Sequence, residues 1–203
     1  MSRSFLVIGA WPVFGFFGID VLLFDMQDIG ARPYTFVWTM AMAMEAAAAQ
    51  DIPFIVLDRP NPITGRMEGP LMQMEMRNVG QPITGYFPVP LRHGMTVGEV
   101  ARYINGEYDI GADLTVIPAA GWQRDTWFDE TALPWIDPSP NIRSLEAALT
   151  YSGLVLFEAT NLSVGRGTAT PGSLRAVPAN TQAGGPGVRT PTGPVTLRLE
   201  SRP

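Results

Sequence analysis

Two short apolar runs, each ending in aspartate and separated by a helix-forming stretch, constrain this chain more than any other feature. The first is Ile19-Asp-Val-Leu-Leu-Phe-Asp25 and the second is Pro53-Phe-Ile-Val-Leu-Asp58. Apolar runs this short, bounded by turn signals, read as buried strands. Strands covered on both faces lose the alternating pattern, as these do. Between them Gly30 and Pro33 punctuate, and Tyr34 to Gln50 is rich in methionine and alanine, with four consecutive alanines at 46–49. That stretch has high helix propensity, and its small side chains permit close packing on a sheet. Pro33 suits the first helical position. Strand, helix and strand joined by short connections make a βαβ unit, in which a right-handed crossover links parallel strands.

The alternation continues downstream. Thr96-Val-Gly-Glu99 is a capping-box pattern, Val97, Val100, Ala101 and Ile104 follow at helical spacing, and Asn105-Gly106 is a stop signal. Asp113–Ile117 reads as a third strand, Ser144–Tyr151 as a short helix, and Leu154–Phe157 as a fourth strand ending at Glu158. Arg59 to Leu91 holds six prolines and four glycines and reads as a long loop of the kind that folds over a site. The fold class is therefore α/β, an open, mostly parallel sheet with flanking helices.

Composition removes several function classes. The 203 residues include no cysteine, so disulfides and cysteine-bearing zinc sites are excluded. One histidine, His93, leaves no histidine-rich metal site or relay. The net charge is -5, and all 14 basic residues are arginine. That balance opposes nucleic-acid binding, which calls for a basic stripe. No run is long enough to span a membrane.

The charge is unevenly spread. Residues 1–171 carry a net of -8, whereas 172–203 carry +3 with five glycines, five prolines and no aromatic residue. Such a tail cannot bury enough apolar surface to offset its ordering entropy, so a disordered C-terminal tail is expected. Residues 1–18 also depart from the pattern that follows. Arg3 and the apolar Phe5–Ile19 suggest a signal-peptide core, but no small-x-small cleavage site follows. A non-native start is the alternative.

In open α/β sheets, ligands bind beyond the carboxyl ends of the strands. Here Asp25, Asp58 and Glu158 stand at such ends, accompanied by Gln27, Asp28 and Arg32, by Arg59 and Asn61, and by Asn161, Ser163 and Arg166. Two carboxylates across a cleft suit glycoside hydrolysis. Nearby arginines suit an anionic substrate, because guanidinium grips carboxylate with two parallel bonds. Trp122, Trp127 and Trp135 suit sugar faces or plain packing. The carboxylates could instead hold Mg2+ for phosphoryl transfer, although no glycine-rich phosphate loop is present. His93 reads either as a general acid or ligand-binding group, or as an orderer of the helix entry through a backbone hydrogen bond. Gly165–Thr168 reads as an anion-binding nest or a plain turn.

Five segments then form a recognisable series: Asp25-Met-Gln-Asp-Ile-Gly-Ala-Arg-Pro-Tyr-Thr35, Leu57-Asp-Arg-Pro-Asn-Pro62, Arg92-His-Gly-Met-Thr-Val-Gly-Glu99, Pro138-Ser-Pro-Asn141 and Glu158-Ala-Thr-Asn-Leu-Ser-Val-Gly-Arg-Gly-Thr168. Together they resemble the bacterial NamZ-type exo-β-N-acetylmuramidase family. The resemblance implies a Rossmann-like catalytic domain followed by a smaller auxiliary domain. It also implies removal of terminal N-acetylmuramic acid from peptidoglycan fragments outside the cytoplasm. The lactyl carboxylate of muramic acid would account for the arginines. No metal or other cofactor is implied.

The departures shape the expectation. The family carries an upstream Glu-His-Gly segment whose glutamate is expected to be catalytic, and this chain does not contain it. Beyond Pro171 the family pattern stops, and 172–203 has the bias of out-of-frame translation. The expected organisation is a non-family segment at 1–18, a partial, incomplete Rossmann-like catalytic domain at 19–171, and a disordered or non-native tail at 172–203. The expected product is a fragment of the glycosidase, possessing much of the cleft and lacking a principal catalytic residue. Within it Glu158, Asp25 and His93 are the candidate catalytic groups. Gln27, Asp28, Arg32, Tyr34, Asp58, Arg59, Asn61, Asn141, Asn161 and Arg166 are the candidate substrate contacts. A sugar-binding module without turnover and a Mg2+-dependent phosphoryl-transfer domain are the alternatives.

Overall fold

A computed structural model of the chain describes residues 5–7, 18–77, 82–160, 162–163 and 177–178. The chain divides into two compact units, Met1–Leu133 and Pro134–Pro203.

The first unit is built on a parallel sheet of β1 (Phe5–Val7), β2 (Val21–Phe24), β3 (Phe54–Leu57) and, at the far edge, β6 (Leu114–Ile117). The strands lie side by side in chain order, with Leu22 opposite Phe54 and Phe54 opposite Leu114. Helix α1 (Phe36–Ala48) makes the crossover from β2 to β3. Helix α2 (Val97–Glu107) leads into β6. The connection between β3 and α2 is not a structureless loop. It contains an antiparallel ribbon of β4 (Glu68–Leu71) and β5 (Pro90–Arg92).

The two helices share one core with the sheet. Leu22 and Phe24 of β2 and Phe54 and Val56 of β3 are fully buried, together with Val37, Trp38, Met40, Ala41, Met44 and Ala47 of α1 and Val97, Val100, Ala101 and Ile104 of α2. The alternate strand positions are only partly covered: Val21, Leu23, Ile55 and Leu57 are intermediate, and Ile117 is 50% exposed. The strands therefore alternate in burial, contrary to the expectation of cover on both faces. The continuous apolar sequence conceals this because the second face keeps apolar residues under partial cover.

Local chemistry explains the helix ends. Helix α1 starts at Phe36 with Thr35 as its N-cap, not at Pro33. Pro33 lies inside a turn closed by Tyr34 N–H on Ala31 O at 2.9 Å. Helix α2 carries the complete capping box, with Thr96 Oγ1 accepting from Glu99 N–H at 3.2 Å and Thr96 N–H donating to Glu99 Oε2 at 2.9 Å. It passes through Asn105-Gly106 to Glu107. Asn105 instead braces the following turn, exchanging two bonds with the backbone of Ala112. Helix α1 is tied outward by Glu45, which accepts from Arg77 at 2.6 Å and from the Tyr86 hydroxyl at 2.6 Å.

The second unit corrects one element. Helix α3 (Leu145–Leu154), capped by Ser144 Oγ on Ala147 N–H, does not give way to a strand. It continues as a 3-10 turn over Val155–Ala159. Short apolar runs do not by themselves distinguish strand from helix. Here the preceding helix extends through the run. A two-residue antiparallel pair, β7 (Leu162–Ser163) with β8 (Val177–Pro178), follows.

Two outcomes test this packing. A Cβ on Gly98 would lie 2.5 Å from Val116 Cγ1 and 2.8 Å from Asp58 Cγ. Gly98→Ala is therefore expected to cost about 1–3 kcal/mol in urea denaturation. Burial raises the pKa of Tyr86, helped by its bond to Glu45, and burial with the Tyr103 hydroxyl raises that of Tyr108. Because the unfolded chain then ionises first, stability should fall as pH rises above about 10, measured by denaturant midpoint against pH.

Candidate functional site

Strands β2 and β3 are parallel neighbours, so the residues that follow them, Asp25 and Asp58, emerge at the same edge of the sheet. Their environments differ. Asp25 Oδ1 accepts from Arg59 Nε at 2.7 Å and Nη2 at 2.6 Å. Both side chains remain more than a third exposed, 34% for Asp25 and 40% for Arg59. This is a polar pair that a ligand can reach.

Asp58 has a different task. Its Oδ1 accepts from the N–H groups of Gly98 at 2.7 Å and Arg59 at 3.0 Å, and its Oδ2 accepts from Thr96 Oγ1 at 2.8 Å. A carboxylate held by N-terminal helix amides also complements the helix dipole. Asp58 thus fastens the start of α2 to the end of β3.

Asp28 lies 3% exposed in the loop after β2. Its Oδ2 accepts from Gly30 N–H at 2.7 Å and faces His93 Nε2 at 3.0 Å. His93 is fully buried, and its Nδ1 accepts from Met95 N–H at 3.2 Å. With Nδ1 accepting, the ring proton sits on Nε2 and points at Asp28. Both ring nitrogens are occupied. The bond from Met95 N–H is a backbone hydrogen bond at the entry to α2, the contact that one of the two sequence readings of His93 describes. Among the described residues, the buried Asp28 Oδ1 has no hydrogen-bond partner.

The other residues of this loop cluster complete a frame. Asn61 Nδ2 donates to Met95 O at 2.9 Å, and its Oδ1 accepts from Ile63 N–H at 3.1 Å. Gly30 has φ +81°, and a Cβ there would lie 2.5 Å from Asn61 Oδ1. Only glycine meets both demands. Gln27 Nε2 bridges Asp28 O at 2.7 Å and Pro60 O at 3.0 Å, which joins the two strand-end loops. Arg32 Nη1 donates to Pro70 O and Val89 O, both at 2.8 Å, and burial lowers its pKa. Tyr34 is buried, with its ring 4.6 Å from that of Phe36.

The structure thus brings Asp25, Gln27, Asp28, Arg32, Asp58, Arg59, Asn61 and His93 into one bonded set of loops. Tyr34 belongs to its buried support. Asn141 and Glu158 lie in the second unit. Asn141 N–H donates to Ser139 Oγ at 3.3 Å in a local turn. Glu158 is exposed on the 3-10 turn, which replaces its expected place at the end of a buried strand. Asn161, Arg166 and the Gly165–Thr168 segment lie outside the described residues, as does most of 172–203 and of 1–18.

Several contributors escaped the sequence reading. Thr96 was legible as a cap, but its second bond, to Asp58, joins sheet and helix. Arg92 is 6% exposed and pairs with Glu68 at 2.6 Å while donating to Thr64 Oγ1 and Ile63 O. It sits in the quoted segment beside His93, the only cue. Two of the loop tryptophans already face guanidinium groups: Arg124 lies 5.2 Å from the Trp122 ring centroid and Arg92 lies 5.8 Å from that of Trp127. Among the described residues no group of three or more His, Cys, Asp or Glu side chains is placed to hold a metal ion.

Fold and site together define an open parallel α/β protein with a polar loop cluster at the carboxyl ends of its strands. Comparison with known proteins sharpens that class. Residues 15–146 match the family described as exo-beta-N-acetylmuramidase NamZ, N-terminal. The peptidoglycan beta-N-acetylmuramidase NamZ of Bacillus subtilis (strain 168) is 48% identical over 161 residues, covering 79% of this chain and 38% of that protein. Two crystal structures of DUF1343 family proteins from Bacteroides fragilis NCTC 9343 superpose with TM-scores of 0.73 and 0.69 at 38% identity. They cover 78% of this chain and 41% and 43% of theirs. The chain belongs to the NamZ exo-beta-N-acetylmuramidase family, and it spans about two fifths of the length of these relatives.

The Asp28–His93 geometry makes two testable statements. Long-range 1H–15N NMR should show a pyridine-type Nδ1 and a protonated Nε2 for the single histidine, and the opposite tautomer would contradict the assigned bonds. Asp28→Asn should cost about 1–3 kcal/mol in urea denaturation, because it perturbs a buried acceptor serving two donors.

Proposed function

We propose that this chain forms the substrate-holding part of a glycoside hydrolase acting on peptidoglycan-derived saccharides that end in N-acetylmuramic acid. The observation that carries the reading is the exposed Asp25–Arg59 pair at the carboxyl edge of the sheet, in a family whose Bacillus subtilis relative is a peptidoglycan beta-N-acetylmuramidase. A carboxylate beside a guanidinium supplies both acceptors and donors for sugar hydroxyls.

The same geometry distributes the work. Asp58 is committed to the amides of α2 and the Thr96 hydroxyl. Asp28 is committed to Gly30 and His93. Neither is arranged to protonate a leaving group, for which a general acid needs a proton within reach of the glycosidic oxygen. Asp25 is the carboxylate in this set that a sugar can approach. In this reading the first unit binds and orients the sugar, and the principal proton donor belongs to another part of the enzyme. The magnesium alternative loses support for the same reason, since Asp58 has no oxygen left unbonded. The substrate is part of the cell wall, which supports an extracytoplasmic place of action.

The experiment uses the 203-residue chain with N-acetylmuramic acid in calorimetry and with its 4-nitrophenyl β-glycoside in a release assay. Saturable binding with no nitrophenol release is expected, and Asp25→Ala should weaken that binding by at least about tenfold, the effect of losing a charged hydrogen-bonding group. Absence of binding would overturn the reading. Rapid release would show that the proton donor is already in this chain.

A further inference from the structure

The arginines of this chain are not equivalent. Among the described residues, ion pairs take up Arg59, Arg77, Arg92 and Arg124. Arg66, Arg102 and Arg143 are exposed, where water screens their charge. Arg32 fits neither group. It is half-buried, no described carboxylate pairs with it, and its guanidinium donates to two neutral carbonyls.

Its position is rigid. Arg32 N–H donates to Leu91 O at 2.8 Å, and its own carbonyl accepts from the indole of the fully buried Trp38 at 2.6 Å. Nη1 is occupied by Pro70 O and Val89 O. The described residues offer no partner to Nε and Nη2, the edge that makes a two-pronged, side-on grip on a carboxylate. Arg59 uses that same edge on Asp25. Beside Arg32 the neighbour is Gly85, where a methyl group would stand 3.9 Å from Nε. That methyl group would also lie 2.7 Å from Met72 Sδ, so this thioether fills the space beside Gly85. A half-desolvated cation without a counter-charge is costly, and an anion binding there recovers the cost.

We propose that the Nε/Nη2 edge of Arg32 receives the lactyl carboxylate of N-acetylmuramic acid and so distinguishes it from N-acetylglucosamine. This rests on the muramyl-saccharide reading above. The carbonyls of Pro70 and Val89 fix the guanidinium plane, and the β4–β5 ribbon thereby positions the residue that selects the sugar. Arg32 is assigned to recognition, not to bond cleavage.

The test removes the charge from either side. Affinities of N-acetylmuramic acid, its lactyl carboxamide and N-acetylglucosamine are measured by calorimetry for the 203-residue chain and for Arg32→Gln. The native chain should prefer the acid over the amide by about tenfold or more, and Arg32→Gln should bind the two alike. Arg32→Lys, which keeps the charge but not the fork, should retain part of the preference. Equal affinity of the native chain for acid and amide would overturn the assignment, as would a preference that survives in Arg32→Gln. If circular dichroism shows that Arg32→Gln fails to fold, the native acid–amide comparison and Arg32→Lys decide the question. If none of the three sugars binds, the underlying reading falls as well. A sugar that binds without regard to its carboxylate sinks only the role of Arg32.

Discussion

The bond between the buried Asp28 carboxylate and the His93 imidazole organises the loops above the sheet. It joins the segment leaving β2 to the segment leaving β5, two regions far apart in sequence. Each partner then fixes backbone nearby: Asp28 holds the Gly30 amide, and His93 holds the Met95 amide. Met95 is held in turn by Asn61, which comes from the loop after β3. One buried polar pair therefore ties together three loops that Gln27, the Asp25–Arg59 pair and the Arg32 amide also join. Such networks are costly when incomplete and rigidifying when satisfied. Here one Asp28 oxygen has no partner among the described residues.

Asp58 performs a parallel function one layer away. The acid that ends β3 caps the helix that precedes β6, with Thr96 and Gly98 as its contacts. The close approach at Gly98 and the left-handed backbone at Gly30 follow from these acids being drawn tightly into the fold. The ligand contacts proposed above are the more accessible groups, Asp25 with Arg59 and the half-buried Arg32, whereas Asp28 and Asp58 are bonded within the frame.

Much of the fold was legible in the sequence. The apolar runs before Asp25 and Asp58, the alanine-rich helix between them and the Thr96 capping box each specify an element through local chemistry. Three features were not legible. The β4–β5 ribbon is a proline- and glycine-rich segment stabilised by side chains distant in sequence, among them Arg92 on Glu68 and Arg32 on Pro70 O. The helical state of Val155–Phe157 depends on continuation from α3, which an apolar tetrapeptide does not announce. The commitments of Asp28, Asp58 and His93 also depend on partners tens of residues away. Sequence could place acids at strand ends, but not separate those that brace loops from the one that faces solvent.

The central claim is that the carboxyl edge of the β2–β3 pair is where the sugar binds. Backbone amide shifts of the isotope-labelled chain, followed during titration with N-acetylmuramic acid, test it most directly. The account predicts saturable shifts concentrated at residues 25–32 and 58–61, with α1 and the turn after Asn105 unmoved. Saturable shifts confined to other surfaces, with the 25–32 and 58–61 loops silent, would contradict it.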